Sequence, residues 1–408
     1  MKAFFVLINI LIAILCLPTF FVANGWATTE ASGSLFTQVK YDTNVNFSSS
    51  NDLEDWIYEL LPKFTLRNFT ETSNLWVSAG FRAQKYNTED QLDCLDQKYQ
   101  LEGSYNLTER FSFGISGRYS LDTTLDQELE EGGYILTRSR RKLYRISPSI
   151  RWNSSERTSW TFSTDSYHVN YQNDYYSDYS TFYATLGCTH FLSDQTTYLI
   201  VQTSAGTIDF QEGNSRTYDI NLGIGKSFTE RLSGEVLLGI NYTKSRQRVV
   251  VGWNEYIIWP SLEIVREPVI ETKTYYDTGW IGAGKLKWLW ETGGINLSAT
   301  RNVSGSAYGQ TTTRSRLTTI VRQNLSERLF LSTYISYSKV EFENSLYNYS
   351  DYDTFDINQG IGFRITPHTT ISLYYRYSEQ SYDKSSNTAV RHQVYLRLNF
   401  TELFKNAL

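Results

Sequence analysis

From Ser34 to Phe400, apolar or aromatic residues alternate with small or polar ones in segments of roughly ten residues, each followed by a turn signal. No other feature limits the fold so strongly, because a period of two sends successive side chains to opposite faces of a strand and fits no helix. In Phe111–Leu121 the odd positions are apolar or glycine and the even ones are mostly serine, glycine and arginine. Residues 218–228, 355–365, 371–377 and 394–400 read the same way.

The turns recur as well. Thr108-Glu109-Arg110, Ser155-Glu156-Arg157, Thr229-Glu230-Arg231 and Ser326-Glu327-Arg328 share one formula, with variants at Thr70-Glu71, Ser193-Asp194, Thr292-Gly293 and Thr366-Pro367. Short hydroxyl and acidic side chains bond the local backbone and favour tight turns. Longer polar connections separate them, near 47–54, 87–94, 123–136, 172–179, 209–215, 246–270, 302–311, 342–353 and 380–388. Short turns at one end and long loops at the other mark an outer-membrane barrel. Two strands per tight turn plus one at each terminus predict an all-β, transmembrane, antiparallel up-and-down β-barrel of about 18 strands, with about 16 as the alternative. Its short turns are expected in the periplasm and its longer loops outside the cell.

Polarity favours a membrane over a soluble sandwich or an exported β-solenoid. The segments exceed the usual strand length of about five or six residues. Aromatic side chains make up 15% of the chain and gather near strand ends, as at Trp280, Trp288 and Trp290 or Tyr374, Tyr375 and Tyr377. That aromatic content also excludes disorder. The opposite face carries Ser, Gly, Thr, Asn and charge, too polar for a dry core. Val394–Phe400 ends on an aromatic residue, like the C-terminal signal read by the barrel assembly machinery, a partner expected during biogenesis.

Residues 1–27 read as a secretory signal peptide: Lys2, an apolar run to about Phe21, then the small residues Gly25 and Ala27. The alternative is a retained anchor; Leu15 before Cys16 argues against acylation. The barrel is then assigned to 28–400 and a short tail to 401–408. With 38 Lys+Arg against 43 Asp+Glu, the chain is acidic overall, and no nucleic-acid partner is expected.

Tyr41-Asp42-Thr43-Asn44-Val45, followed by Asp55-Trp56-Ile57-Tyr58-Glu59-Leu60-Leu61-Pro62, resembles the opening of a family of outer-membrane β-barrel porins. Some members of that family accompany exopolysaccharide synthesis and export. The resemblance implies the location and the fold, adds polysaccharide machinery as a partner to consider, and brings no catalytic residues.

Following the alternation strand by strand assigns a set of cations to the lumen. As pore-lining residues it names Arg82, Arg118, Arg141, Arg145, Arg151, Lys285, Lys287, Arg316, Arg322, Arg364, Arg376 and Arg397, with Lys40, Lys63, Arg67 and Lys98 on the same face. The inward acids are Asp42, Glu59, Glu102, Asp219, Glu235 and Asp356. Rings of Arg and Lys concentrate anions; the competing reading pairs these bases with the acids to hold the wall. Arg138-Ser139-Arg140-Arg141-Lys142 reads as an outward anion site or as a girdle on lipopolysaccharide. The apolar stretch with Trp253, Tyr256 and Trp259 is too apolar for a solvated loop. It is a candidate constriction or plug, a partner contact, or a pair of strands extended above the membrane.

Catalysis is not indicated. His168, His190, His368 and His392 are scattered without metal-ligand spacing, and Asp165 and His168, three apart on a strand, fall on opposite faces. Neither metal nor cofactor is expected. Cys94 and Cys188 belong to opposite barrel ends and are predicted to be unpaired thiols. The expected function is passive diffusion of small anionic solutes or an acidic glycan through a cationic lumen, in contact with outer-membrane lipid and lipopolysaccharide. The alternative is a non-conducting docking barrel of an exopolysaccharide assembly. An energised transporter is disfavoured, because no plug domain fits before Ser34. Oligomeric state is not encoded in these patterns.

Overall fold

The computed structural model describes residues 28–50, 52–124, 138–173, 176–258, 263–306, 309–342, 351–383 and 388–405. The first six strands are β1 (Thr28–Asp42), β2 (Asp55–Phe69), β3 (Ser73–Tyr86), β4 (Cys94–Asn106), β5 (Phe111–Thr123) and β6 (Arg140–Asn153). The next six are β7 (Thr158–Tyr171), β8 (Tyr179–Phe191), β9 (Thr197–Phe210), β10 (Gly213–Ser227), β11 (Leu232–Ile258) and β12 (Glu263–Trp290). The last six are β13 (Gly293–Gly305), β14 (Thr311–Asn324), β15 (Leu329–Phe342), β16 (Tyr352–Arg364), β17 (Thr369–Tyr382) and β18 (Thr388–Lys405). Each pairs antiparallel with its chain neighbours, and β1 pairs with both β2 and β18, closing an 18-stranded barrel.

The turn formula has a common cause. In each case the hydroxyl of the first residue accepts from the backbone N–H groups two and three positions on, at 3.2 and 3.0 Å for Thr108 and at 3.3 and 3.0 Å for Ser326. Asp194 does the same with its carboxylate toward Thr196 and Thr197.

Closure reaches further than the sequence pattern suggests. Residues 401–405, expected to be the start of a tail, continue β18: Ser34 faces Thr401 and Glu30 faces Lys405. They have a partner because β1 begins at Thr28, ahead of the clear alternation, and pairing removes what would be an exposed edge. Residues 1–27, read as a signal peptide, and 406–408 lie outside the described residues.

The two faces are inverted relative to a water-soluble protein. Outside, Phe64, Leu222 and Leu238 are 63%, 61% and 62% exposed. Inside, Asp42, Gln380 and Asn241 are 0%, 1% and 2% exposed. Aromatic rings mark both ends of the outer face: Tyr218, Tyr242 and Tyr276 run in a row at 6.4 Å spacings toward the loop end, and Trp288 and Trp290 meet at 5.5 Å beside a turn. Among the described residues no helix is long and apolar enough to cross a membrane, which bears only on helices.

One seam is irregular. The β12–β13 ladder stops at Gly282 and Arg301, although both strands continue. Above that point β12 pairs only with β11, in a hairpin reaching Ile258 and Glu263. The β13–β14 tip turns inward instead: Thr311, Thr312, Thr313 and Arg314 are all buried, which alternation in a barrel wall would not allow. Arg301 bridges the parting strands from the outer face, donating to the Trp280 carbonyl at 3.3 Å and to Glu341 at 2.9 Å while lying over the Trp280 ring.

Candidate functional site

The ladder puts all the cations assigned to the lumen on the inner face, since directly paired residues share a face and the row is anchored by buried partners. Their environments divide along the barrel axis.

Toward the loop end the charges are paired. Arg141, 1% exposed, donates to Asp122 at 3.0 Å. Arg391 donates to both oxygens of Asp42 at 3.0 Å, across the β1–β18 closure. Lys40 meets Glu59 at 2.9 Å, and Gln84 donates to the same carboxylate. Arg82 and Arg140 converge on Asp96, Arg376 bonds Asp356, and Arg145 holds Asp165 at 2.7 Å. Buried charge is stable only when so paired, and these contacts lace neighbouring strands together. Arg391 and Arg314 also face inward, although the alternation reading did not name them; Arg391 lies in the β18 alternation and was accessible to it.

Toward the turn end the balance changes. Arg151, Lys285, Lys287 and Arg322 have no ion-pair or hydrogen-bond partner among the described residues. Arg364 donates to the Glu327 carbonyl at 2.6 Å and to Asn324 at 3.0 Å, with no carboxylate partner among the described residues. Arg397 donates to Gln38 at 2.9 Å and lies over the Tyr374 and Tyr395 rings. Arg118 and Arg316 occupy the inner wall between the two zones. Wall bracing and free cation are therefore both present, at different depths.

Of the three readings of the apolar stretch, the structure shows the pair of extended strands. Residues through Ile258 and from Glu263 form the β11–β12 ladder, and Trp253 is 62% exposed on it rather than packed into the barrel. Tyr256 belongs to that ladder, and Trp259 lies outside the described residues. A run apolar on both faces can ladder with itself and needs no lumen contact. The described part of the β13–β14 tip turns into the barrel instead. It lies against an apolar cluster of the inner wall, Leu143, Val169, Tyr179, Ile208 and Phe210. A Cβ on Gly305 would come within 3.0 Å of Ile208 and 3.2 Å of Tyr179, and Gly309 takes φ +70° with Ser177 close by. Ser245 of β11 meets Thr311 at 3.4 Å. The β1–β2 loop also folds in: Asn44 and Val45 are buried, and Phe47 shares a cavity with Arg316, Asp356 and Arg376.

The basic stretch at 138–142 is drawn largely into internal contacts. Arg138 donates to the Tyr86 hydroxyl at 2.7 Å, Arg140 and Arg141 take inward or rim carboxylates, and only Lys142 is exposed outside. Cys94 and Cys188 are free thiols, as expected from opposite barrel ends. His190, His368 and His392 each contact a separate partner, Thr158, the Thr401 carbonyl and Tyr375. Asp165 turns to Arg145, on the face opposite His168. Among the described residues no group of three potential ligands could hold a metal ion.

No protein-family model matches the chain, and no curated protein matches it. Solved structures with similarity include the ferric-catecholate import receptor Fiu from E. coli K12 in its open form, with a TM-score of 0.46 and 11% identity over 93% of this chain and 82% of that one. Pseudomonas aeruginosa OccK2 (OpdF) in complex with glucuronate has a TM-score of 0.46 and 9% identity, covering 93% of this chain and 98% of its own. A BenF-like porin from Pseudomonas fluorescens Pf-5 has a TM-score of 0.44 and 9% identity, covering 92% and 99%.

Proposed function

We propose that the chain is an outer-membrane channel of a Gram-negative bacterium, exported by the signal peptide at 1–27, through which small anions diffuse passively. The observation that carries this is the inverted polarity: a closed 18-stranded barrel with an apolar, aromatic-belted outside and a charged inside. Lipid solvates the outer face, and the closed ladder leaves the spanning backbone satisfied. The short turns lie in the periplasm, and lipopolysaccharide meets the loop-end rim. Barrels of this strand number leave room for water. Unpaired Arg151, Arg322, Lys285 and Lys287 bias diffusion toward anions at the periplasmic end, while the β13–β14 tip sets the narrowest passage.

The test is conductance and reversal potential of the refolded protein in a planar bilayer under a salt gradient. Steady anion-selective channels are expected. Steady cation-selective channels would overturn the charge argument and keep the pore. Absence of current from a folded, heat-modifiable barrel would mean that the inward loops seal it. It would then act as a structural or docking element, the role suggested by the resemblance to exopolysaccharide-associated porins.

A further inference from the structure

Three adjacent strands set six polar side chains in two rows on the inner wall near the turn end. One row is Ser233, Lys287 and Asn296; the next is Glu235, Lys285 and Ser298. Direct cross-strand neighbours have Cβ atoms about 5 Å apart, and alternate residues of one strand are about 6.6 Å apart. The grid is therefore held by the ladder itself. It lines a recess of about 340 Å³ together with Tyr198.

Its charged groups form no ion pair among the described residues. Glu235 stands opposite Lys285, yet its carboxylate accepts from the Tyr198 hydroxyl at 2.8 Å and forms no ion pair with the lysine. Lys285 and Lys287 likewise have no carboxylate partner among the described residues. Two ammonium groups one strand repeat apart are spaced to share a single carboxylate. Glu235 accepts only, so what it adds to a bound solute is a place for a hydroxyl, and Asn296 and Ser298 both donate and accept.

We propose that this grid is a binding site for a polyhydroxy monocarboxylate, a sugar acid: its carboxylate on Lys285 and Lys287, its hydroxyls on Glu235, Asn296 and Ser298. The inference rests on the channel reading and names its solute class. A neutral sugar offers nothing to the lysines. A plain carboxylate leaves the hydroxyl partners unmet, and a phosphate dianion is repelled by Glu235.

The experiment adds gluconate to one side of single channels in a planar bilayer, with propionate and glucose as comparisons. Gluconate is expected to interrupt the current at about tenfold lower concentration than propionate, the equivalent of one or two added hydrogen bonds. Glucose is expected to have no effect. The variant Lys285→Ala/Lys287→Ala should lose the block. Glu235→Gln should stay anion-selective while gluconate and propionate block it more nearly alike. Equal block by gluconate and propionate in the native protein, or block unchanged in the double variant, would overturn the site and leave the channel standing. If the barrel carries no current, the channel reading fails. Calorimetric titration of gluconate into the detergent-solubilised protein and the same variants then decides the site: binding lost with the lysines supports it, and no binding to the native protein ends it.

Discussion

Neutralising Arg151 and Arg322 together is expected to move ion selectivity far more than deleting a buried pair of opposite charges. Both arginines lie on the inner wall near the turn end without a carboxylate partner among the described residues. A unit charge about 10 Å from a passing ion in water is worth about 0.4 kcal/mol, a factor of about two in the ion's local concentration. Removing one such cation lowers anion entry by about two and raises cation entry by about two, so the permeability ratio falls about fourfold. For Arg151→Gln/Arg322→Gln the fall compounds to about sixteenfold, measured at about 0.01 M salt, where the screening length is about 30 Å. The contrasting variant is Asp122→Asn/Arg141→Gln, which removes an ion pair buried at 5% and 1% exposure and leaves the net charge unchanged. Its ratio is expected to stay within about twofold of the native value, because a tight pair has little field at distance. Asp356→Asn/Arg376→Gln, a second pair, serves as a repeat. The assay is the reversal potential across a salt gradient. If the paired variants shift it as much as the unpaired one, the axial division of charge does not govern permeation.

Other consequences follow from individual contacts. Removing residues 306–310 of the β13–β14 tip is expected to raise single-channel conductance, and Gly309→Val, with φ +70° and Ser177 at 3.2 Å, should do so in part; unchanged conductance in both would place the narrowest passage elsewhere. Arg391→Met leaves the fully buried Asp42 without its guanidinium and is expected to destabilise the barrel by about 3–5 kcal/mol in urea titrations. Asp42→Asn/Arg391→Met should recover much of that loss, and equal losses would show that packing rather than charge dominates. The Asp194 carboxylate is held well below its ordinary range by hydrogen bonds from Thr197 and Thr196. Its contribution is therefore complete at neutral pH and declines only as pH falls below about 4, the ordinary aspartate value. The difference in urea midpoint between native protein and Asp194→Asn should be flat above that pH and shrink beneath it; a difference growing toward acid would contradict the sign.

Strict alternation carried the face assignments. With a period of two, Arg118 and Arg145 cannot change sides without the whole strand slipping, and the described bulge lies between Val250 and Gly252. What alternation could not convey was partnership. Arg140 and Arg141 stood out as a basic run, but Asp96 and Asp122 lie on other strands, and only register brings them within reach. Strand parity says nothing about a segment that leaves the wall, so the inward turn of the β13–β14 tip escaped it. A local sign was present: Thr311-Thr312-Thr313 has no apolar side, as suits a hairpin surrounded by polar lumen rather than one facing lipid. The stretch around Trp253 left three readings open, because an apolar run with no polar face fits a plug, a partner contact or extended strands alike, and only register shows it paired with its own return strand.

The division of charge by depth also has an electrical meaning. Near the loop end carboxylates pair with most cations, while near the turn end Arg151, Arg322, Lys285 and Lys287 form no ion pair among the described residues. A conduit with fixed charge at one mouth fills with mobile counter-ions under one polarity and empties under the other. A barrel conducting as proposed is expected to rectify: its current–voltage curve should bend, and the direction of the bend would report which way the protein had inserted.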